Sequence, residues 1–121
     1  MRKIGKNSFI LITCLIVLAI FISVAAAEGQ PRLLMLTQPI CPSCMAVKRV
    51  LDDVQNEYFV EVDEFNVRED MSVARKYGMT KAPLLVFFNE NEEEIGKRDG
   101  LVLKEEIMAI FKEAGVQLEK K

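Results

Sequence analysis

The sequence predicts an α/β domain in the order β-α-β-α-β-β-α, a four-stranded mixed sheet with helices on both faces. Three observations predict it. Two short unbroken apolar runs, Leu33–Leu36 and Leu84–Phe88, have the length and composition of strands covered on both faces. An amphipathic repeat begins after Pro42, with Cys44, Val47, Leu51 and Val54 recurring at three- and four-residue spacings. A second repeat near the C-terminus places Leu103, Ile107, Ile110, Phe111 and Ala114 on one helical face.

Each element follows in turn. Arg32–Thr37 is the first strand, and Gln38-Pro39-Ile40 ends it. Pro42 suits the first position of the next helix, where a missing N–H costs nothing. Phe59–Asp63 reads as the second strand. Arg68-Glu69-Asp70 leads into a short helix capped by Asp70 and closed at Tyr77-Gly78. Leu84–Phe88 is the strongest strand, Asn89-Glu90-Asn91 turns the chain, and Glu93–Lys97 makes a polar edge strand ended by Gly100. Lys104–Ala114 is the last helix, stopped by Gly115, and the tail Glu119-Lys120-Lys121 is expected to fray. The first two strands are parallel through a right-handed helical crossover, and the last two form a hairpin. Glu92-Glu93-Glu94 reads as a solvated turn edge.

The chain has 121 residues, enough for one modest core. Its composition is split. Arg2, Lys3 and Lys6 open it with no acid before Glu28, and Phe9–Ala27 is apolar apart from Thr13, Cys14 and Ser23. Residues 1–27 are therefore expected to be either a signal peptide cut after Ala27 or an uncleaved N-terminal membrane anchor. Both readings place residues 28–121, the folded domain, outside the cytoplasm: periplasmic, secreted or on the outer face of the membrane. Lipid attachment at Cys14 fits poorly beside bulky Ile12 and Thr13.

Residues 28–121 carry 13 basic and 18 acidic side chains, a net charge of −5. No nucleic-acid partner is expected from such a surface. The chain contains no histidine, which excludes histidine-based triads and Cys₂His₂ zinc sites. Cys41 and Cys44 are the domain's cysteines, and a lone Cys-x-x-Cys in an exported domain is a redox signal.

Cys41-Pro42-Ser43-Cys44 lies where the first strand meets the first helix. Cys41 at the N-cap meets free backbone N–H groups and the positive end of the helix dipole, which favour a thiolate. That makes Cys41 the expected nucleophile and Cys44, one turn on, the thiol that resolves a mixed disulfide. Pro42 and Ser43 are expected to tune the potential. Two other readings stay open. The pair could be half of a metal site, although no further thiol or imidazole completes four ligands. It could also be a structural disulfide, although so small a loop stabilises little.

From Arg32 to Ala114 the sequence resembles the thioredoxin superfamily. The motif comes first, followed by Asn66-Val67, then Tyr77-Gly78-Met79-Thr80-Lys81-Ala82-Pro83-Leu84, then Leu85–Phe88, and Gly100 before the last helix. The resemblance implies a thioredoxin-like fold trimmed of its N-terminal strand and helix, since 13 residues separate Glu28 from Cys41. It implies a cis Ala82–Pro83 bond packed beside the cysteines, with Ala82 and Pro83 binding an extended substrate peptide by strand addition.

The departures are specific. Ile40 stands where thioredoxins carry tryptophan, and Pro42-Ser43 replaces Gly-Pro, which makes the motif look more like that of glutaredoxins. Asp99-Gly100 stands where glutaredoxins have the Gly-Gly of their glutathione site. Met35 occupies the position of the buried thioredoxin aspartate and Glu64 that of its lysine partner; Glu64 reads as an ordinary exposed strand acid, with a proton-handling role as the alternative.

The expected activity is an extracytoplasmic thiol–disulfide oxidoreductase. It acts on protein disulfide substrates, receives electrons from a membrane partner, needs no cofactor or metal, and is a monomer. The absence of a histidine in the motif favours a reductant. An oxidase or isomerase is the alternative within enzymes, and a copper(I) carrier using Cys41 and Cys44 is the alternative outside them.

Overall fold

A computed structural model describes residues 6–25 and 29–121, with backbone alone for 19–25. The elements are α1 (Lys6–Ala25), β1 (Arg32–Thr37), α2 (Pro42–Glu57), β2 (Glu61–Asn66), α3 (Met71–Lys76), β3 (Leu84–Phe88), β4 (Glu94–Asp99) and α4 (Lys104–Glu113). α1 leaves Phe9, Leu11, Leu15 and Leu18 exposed. Among the residues with described side chains, no helix is long and apolar enough to cross a membrane. In the sequence the apolar run continues to Ala27. The basic start at Arg2 and Lys3, and the proposed cut after Ala27, lie outside the described residues.

The sheet order is β2-β1-β3-β4. β1 pairs parallel with β2 and antiparallel with β3, and β3 pairs antiparallel with β4. Alternation sorts the central strands onto two faces. Leu33, Met35, Leu85 and Phe87 meet Val47, Leu51 and Val54 of α2 and Ile107, Ile110 and Phe111 of α4. Leu36, Leu84, Val86 and Phe88 form a second cluster with Val67 and Ala74. The sheet therefore has helices on both faces, which is why its two central strands read as unbroken apolar runs. Phe87 and Phe111 meet edge to face, 5.4 Å between centroids, an arrangement worth about 0.5–1.5 kcal/mol beyond area burial.

Three boundaries move. β2 covers Glu61–Asn66 rather than Phe59–Asp63, because register with β1 runs from Arg32↔Glu61 to Thr37↔Asn66. β4 begins at Glu94, because the Asn89 side-chain oxygen accepts the N–H groups of Asn91 and Glu93 at 2.9 and 3.0 Å and keeps Glu93 in the turn. α4 ends at Glu113, with Ala114 as its C-cap.

The tail does not fray. Lys120 forms an antiparallel bridge with Tyr58, the Phe59 N–H donates to the Glu119 carbonyl at 2.8 Å, and the Lys121 N–H donates to the Glu57 carbonyl at 2.8 Å. Buried Val116 and half-buried Leu118 hold the approach to this clasp against the core. The tail thus supplies backbone partners to the α2–β2 connection, which has none in the sheet.

Candidate functional site

The topology brings the motif to one end of the sheet. β1 delivers the chain to Gln38-Pro39-Ile40, and α2 starts immediately after Cys41. Ile40 makes the reversal at φ 55°, in the left-handed region, and is fully exposed. That region is rare for a β-branched side chain, with a cost of order 1–3 kcal/mol. Cys41 follows in an extended conformation, φ −130°, as a residue before proline prefers.

Cys41 and Cys44 form a disulfide with 5.2 Å between their Cα atoms. The Cys41 sulfur is also the N-cap of α2: it accepts the Cys44 N–H at 3.1 Å, while the Cys41 carbonyl accepts the Met45 N–H at 3.3 Å. The first turn of α2 contains no acid, so nothing there opposes the partial positive charge of the helix end. Exposure distinguishes the two sulfurs: Cys41 is half-buried, and Cys44 is 6% exposed on the helix face carrying Val47 and Leu51. Pro42 is at the first helical position, and both Pro42 and Ser43 are exposed. Among the described residues no cluster of three or more metal-ligating side chains is present.

The Ala82–Pro83 bond is cis. Leu36 pairs with Leu84, so Pro83 lies beside the end of β1, at the same end of the sheet as the motif. The buried Pro83 offers its carbonyl to the Gly100 N–H at 2.9 Å. Ala82 is half-buried, and its backbone joins no hydrogen bond among the described residues. The sequence-derived candidates therefore gather in one region.

Met35 is buried and stands directly opposite Glu64 in register. Glu64 is exposed and pairs with Lys48 of α2 at 3.3 Å, one helical turn beyond Cys44. This is the surroundings of an ordinary exposed strand acid.

The sequence did not single out the apolar rim. Ile40, Met45, Met71 and Leu101 are each more than half exposed, on four segments at this end of the domain. Beside Ile40, a groove of about 360 Å³ is lined by Gln38, Pro39, Ile40, Val67, Arg68 and Met71. The available signal was Ile40 itself, an apolar residue between two prolines with no helical or strand partner. Met71 fills the first position of α3, and no local pattern in the sequence marks its side chain as exposed. Asp70 caps that helix. Its carboxylate accepts from the Ser72 hydroxyl and backbone N–H, which hold its pKa below the usual carboxylate value.

The family model of a thioredoxin-like domain matches residues 21–115. A thioredoxin of Methanocaldococcus jannaschii is 39% identical over 70 residues, which cover 56% of this chain and 81% of that protein. The NADPH-dependent thioredoxin reductase 3 of Arabidopsis thaliana is 33% identical over 84 residues, 64% of this chain and 15% of that longer protein. Among solved structures, a Plasmodium falciparum thioredoxin superposes with a TM-score of 0.62 at 15% identity, covering 84% of this chain and 82% of that one. That structural likeness bears on fold alone. With a matching family model, a well-covered relative and a Cys-x-x-Cys disulfide at the head of α2, the chain belongs to the thioredoxin-like domain family and is a thiol–disulfide oxidoreductase.

Proposed function

We propose that this oxidoreductase works outside the cytoplasm as a reductant of protein disulfides, with Cys41 as nucleophile and Cys44 as resolving thiol. The observation that carries the reading is the asymmetry of the pair: Cys41 is accessible at a helix N-terminus, and Cys44 is buried behind it. In the reduced protein the Cys41 thiolate is favoured by the helix end and the Cys44 N–H. It attacks one sulfur of a substrate disulfide, forming a Cys41–substrate mixed disulfide and releasing a substrate thiolate. Cys44, deprotonated in turn, attacks the Cys41 sulfur, which closes the Cys41–Cys44 bond and releases the second substrate thiol. Two electrons and two protons pass to the substrate.

Pro42 and Ser43 fit a role in tuning the potential, since they fill the first helical turn between the sulfurs. Ala82 and Pro83 fit substrate binding: they lie at the motif end, and the Ala82 backbone, which joins no hydrogen bond among the described residues, suits strand addition. The apolar rim suits a protein substrate better than a small thiol. The location rests on residues 1–27, read as a leader or anchor. Cytoplasmic dithiols cannot reach such a domain, so a membrane dithiol protein is the proposed electron donor, and the domain is taken to act as a monomer.

The test is insulin reduction by the dithiothreitol-reduced chain, with partner trapping in parallel. Cys41→Ser abolishes reduction, and Cys44→Ala accumulates stable mixed disulfides identifiable by mass spectrometry. Undiminished activity in Cys41→Ser overturns the reading. A measured potential near about −270 mV supports the reductant direction, and one near about −120 mV reverses it.

A further inference from the structure

We propose that Arg68 selects among protein disulfides, favouring extended segments that carry a carboxylate next to an apolar side chain near the reacting cysteine. This rests on the disulfide-exchange reading above and names its substrate class.

The groove beside the disulfide is walled by Ile40, Pro39, Val67 and Met71, and Arg68 is its one charged lining residue. Ile40 precedes Cys41 directly, so a substrate sulfur bonded to Cys41 brings its flanking residues over the groove. Ile40 is fully exposed and Met71 is 54% exposed, which leaves room for an apolar side chain between them. The Arg68 guanidinium joins none of the ion pairs among the described residues. Asp70, two residues away, has its carboxylate on Ser72 at 2.6 and 3.0 Å. Glu69 follows directly in the chain and does not line the groove.

The Arg68 backbone is fixed. Its N–H donates to the Asn66 side-chain oxygen at 3.0 Å, and the Glu69 N–H donates to the Asn66 carbonyl at 3.0 Å. From this fixed point of the backbone the guanidinium offers forked donors that match a carboxylate. The preference is local, because the domain as a whole is acidic, at −5 for residues 28–121, and repels acidic segments at long range. A cation in the groove, with no ion-pair partner among the described residues, reverses that repulsion where the substrate docks.

The experiment uses the full chain in mild detergent, reduced with dithiothreitol and freed of excess. Its probes are three peptides, each with one cysteine in a mixed disulfide with a chromogenic thiol, followed by leucine and then Glu, Gln or Lys. Attack of Cys41 on the peptide sulfur releases the chromogenic thiolate, and Cys44 then frees the peptide. At low ionic strength the Glu peptide should react about threefold faster than the Lys peptide, an advantage that high salt removes. Arg68→Gln should bring the ratio to one or below, since the acidic domain then acts alone, Arg68→Glu should invert it further, and Arg68→Lys should keep part of it. A ratio within each variant cancels any general loss of activity. An unchanged ratio in Arg68→Gln overturns the proposal, as does a wild-type ratio of one while the Gln peptide is reduced. If the wild-type chain reduces none of the peptides, the exchange reading itself falls and takes the proposal with it.

Discussion

The two ends of the sheet are built differently. At the end away from the disulfide, charges and backbone groups are tied down. Arg32 bonds Asp63 at 3.1 Å and Glu92 at 2.9 Å and lies 4.2 Å over the Phe88 ring. Its pKa is raised: burial lowers it, but the two carboxylates outweigh that burial. The C-terminal clasp closes the same end, with Lys121 5.6 Å over Phe59. At the disulfide end, Ile40 is strained and exposed, Met45, Met71 and Leu101 face solvent, and Arg68 has no ion-pair partner among the described residues. The far end holds the fold closed, and the motif end keeps unfavourable features that suit a passing substrate. A domain whose net stability is only several kcal/mol can carry such strain where the rest of the structure fixes it.

Removing the clasp should break this contrast most strongly. Deletion of Glu119–Lys121 takes away two backbone hydrogen bonds, about 1–3 kcal/mol in all. Denaturant unfolding of the oxidised protein should show that loss, and the Phe59 amide should exchange faster with solvent. The rate of disulfide exchange should stay the same. A slower exchange rate would mean that the two ends are coupled through the sheet.

The sheet, the three helices of the domain and the cysteine pair were legible in the sequence, because they rest on local rules. Burial on both faces writes itself as Leu84–Phe88, and a helix face writes itself as Cys44, Val47, Leu51 and Val54. What escaped depends on pairing between distant segments. The shift of β2 to Glu61–Asn66 follows from its register with β1, and the ordered tail follows from carbonyls and amides sixty residues earlier. The groove escaped because Ile40, Val67, Arg68 and Met71 meet only once β1, β2 and α3 are assembled.

At the motif end, Ile40→Gly tests whether the strain serves the substrate. Glycine takes φ 55° freely, and no burial is lost at a fully exposed side chain. Relief of about 1–2 kcal/mol, less the greater freedom of glycine in the unfolded chain, should leave the variant up to about 1 kcal/mol more stable. Reduction of insulin should slow because the apolar rim loses its most exposed member, while reduction of a small aromatic disulfide should not. A variant that is less stable and equally active on both substrates would show that Ile40 is ordinary packing.

Lys104 gives the smallest effect, and it separates the helix layer from both ends. Its ammonium lies 2.8 Å from Glu57 and 3.3 Å from Asp53, tying the first residue of α4 to the later turns of α2. The hydrogen bond to Glu57 is the main cause holding its pKa above the ordinary 10.5. The folded protein therefore binds this proton more tightly than the unfolded chain does. The stabilisation is complete below the unfolded value and is lost as pH rises through the folded one, so it disappears only in the alkaline range. Lys104→Met should flatten the fall in stability above about pH 10.5 relative to wild type and leave its slope near pH 7 unchanged. Because both carboxylates are exposed, the difference should shrink in high salt. If the alkaline limb is identical in the two proteins, α4 is held by Ile107, Ile110 and Phe111 alone, and the charges between the helices contribute nothing to the contrast between the ends.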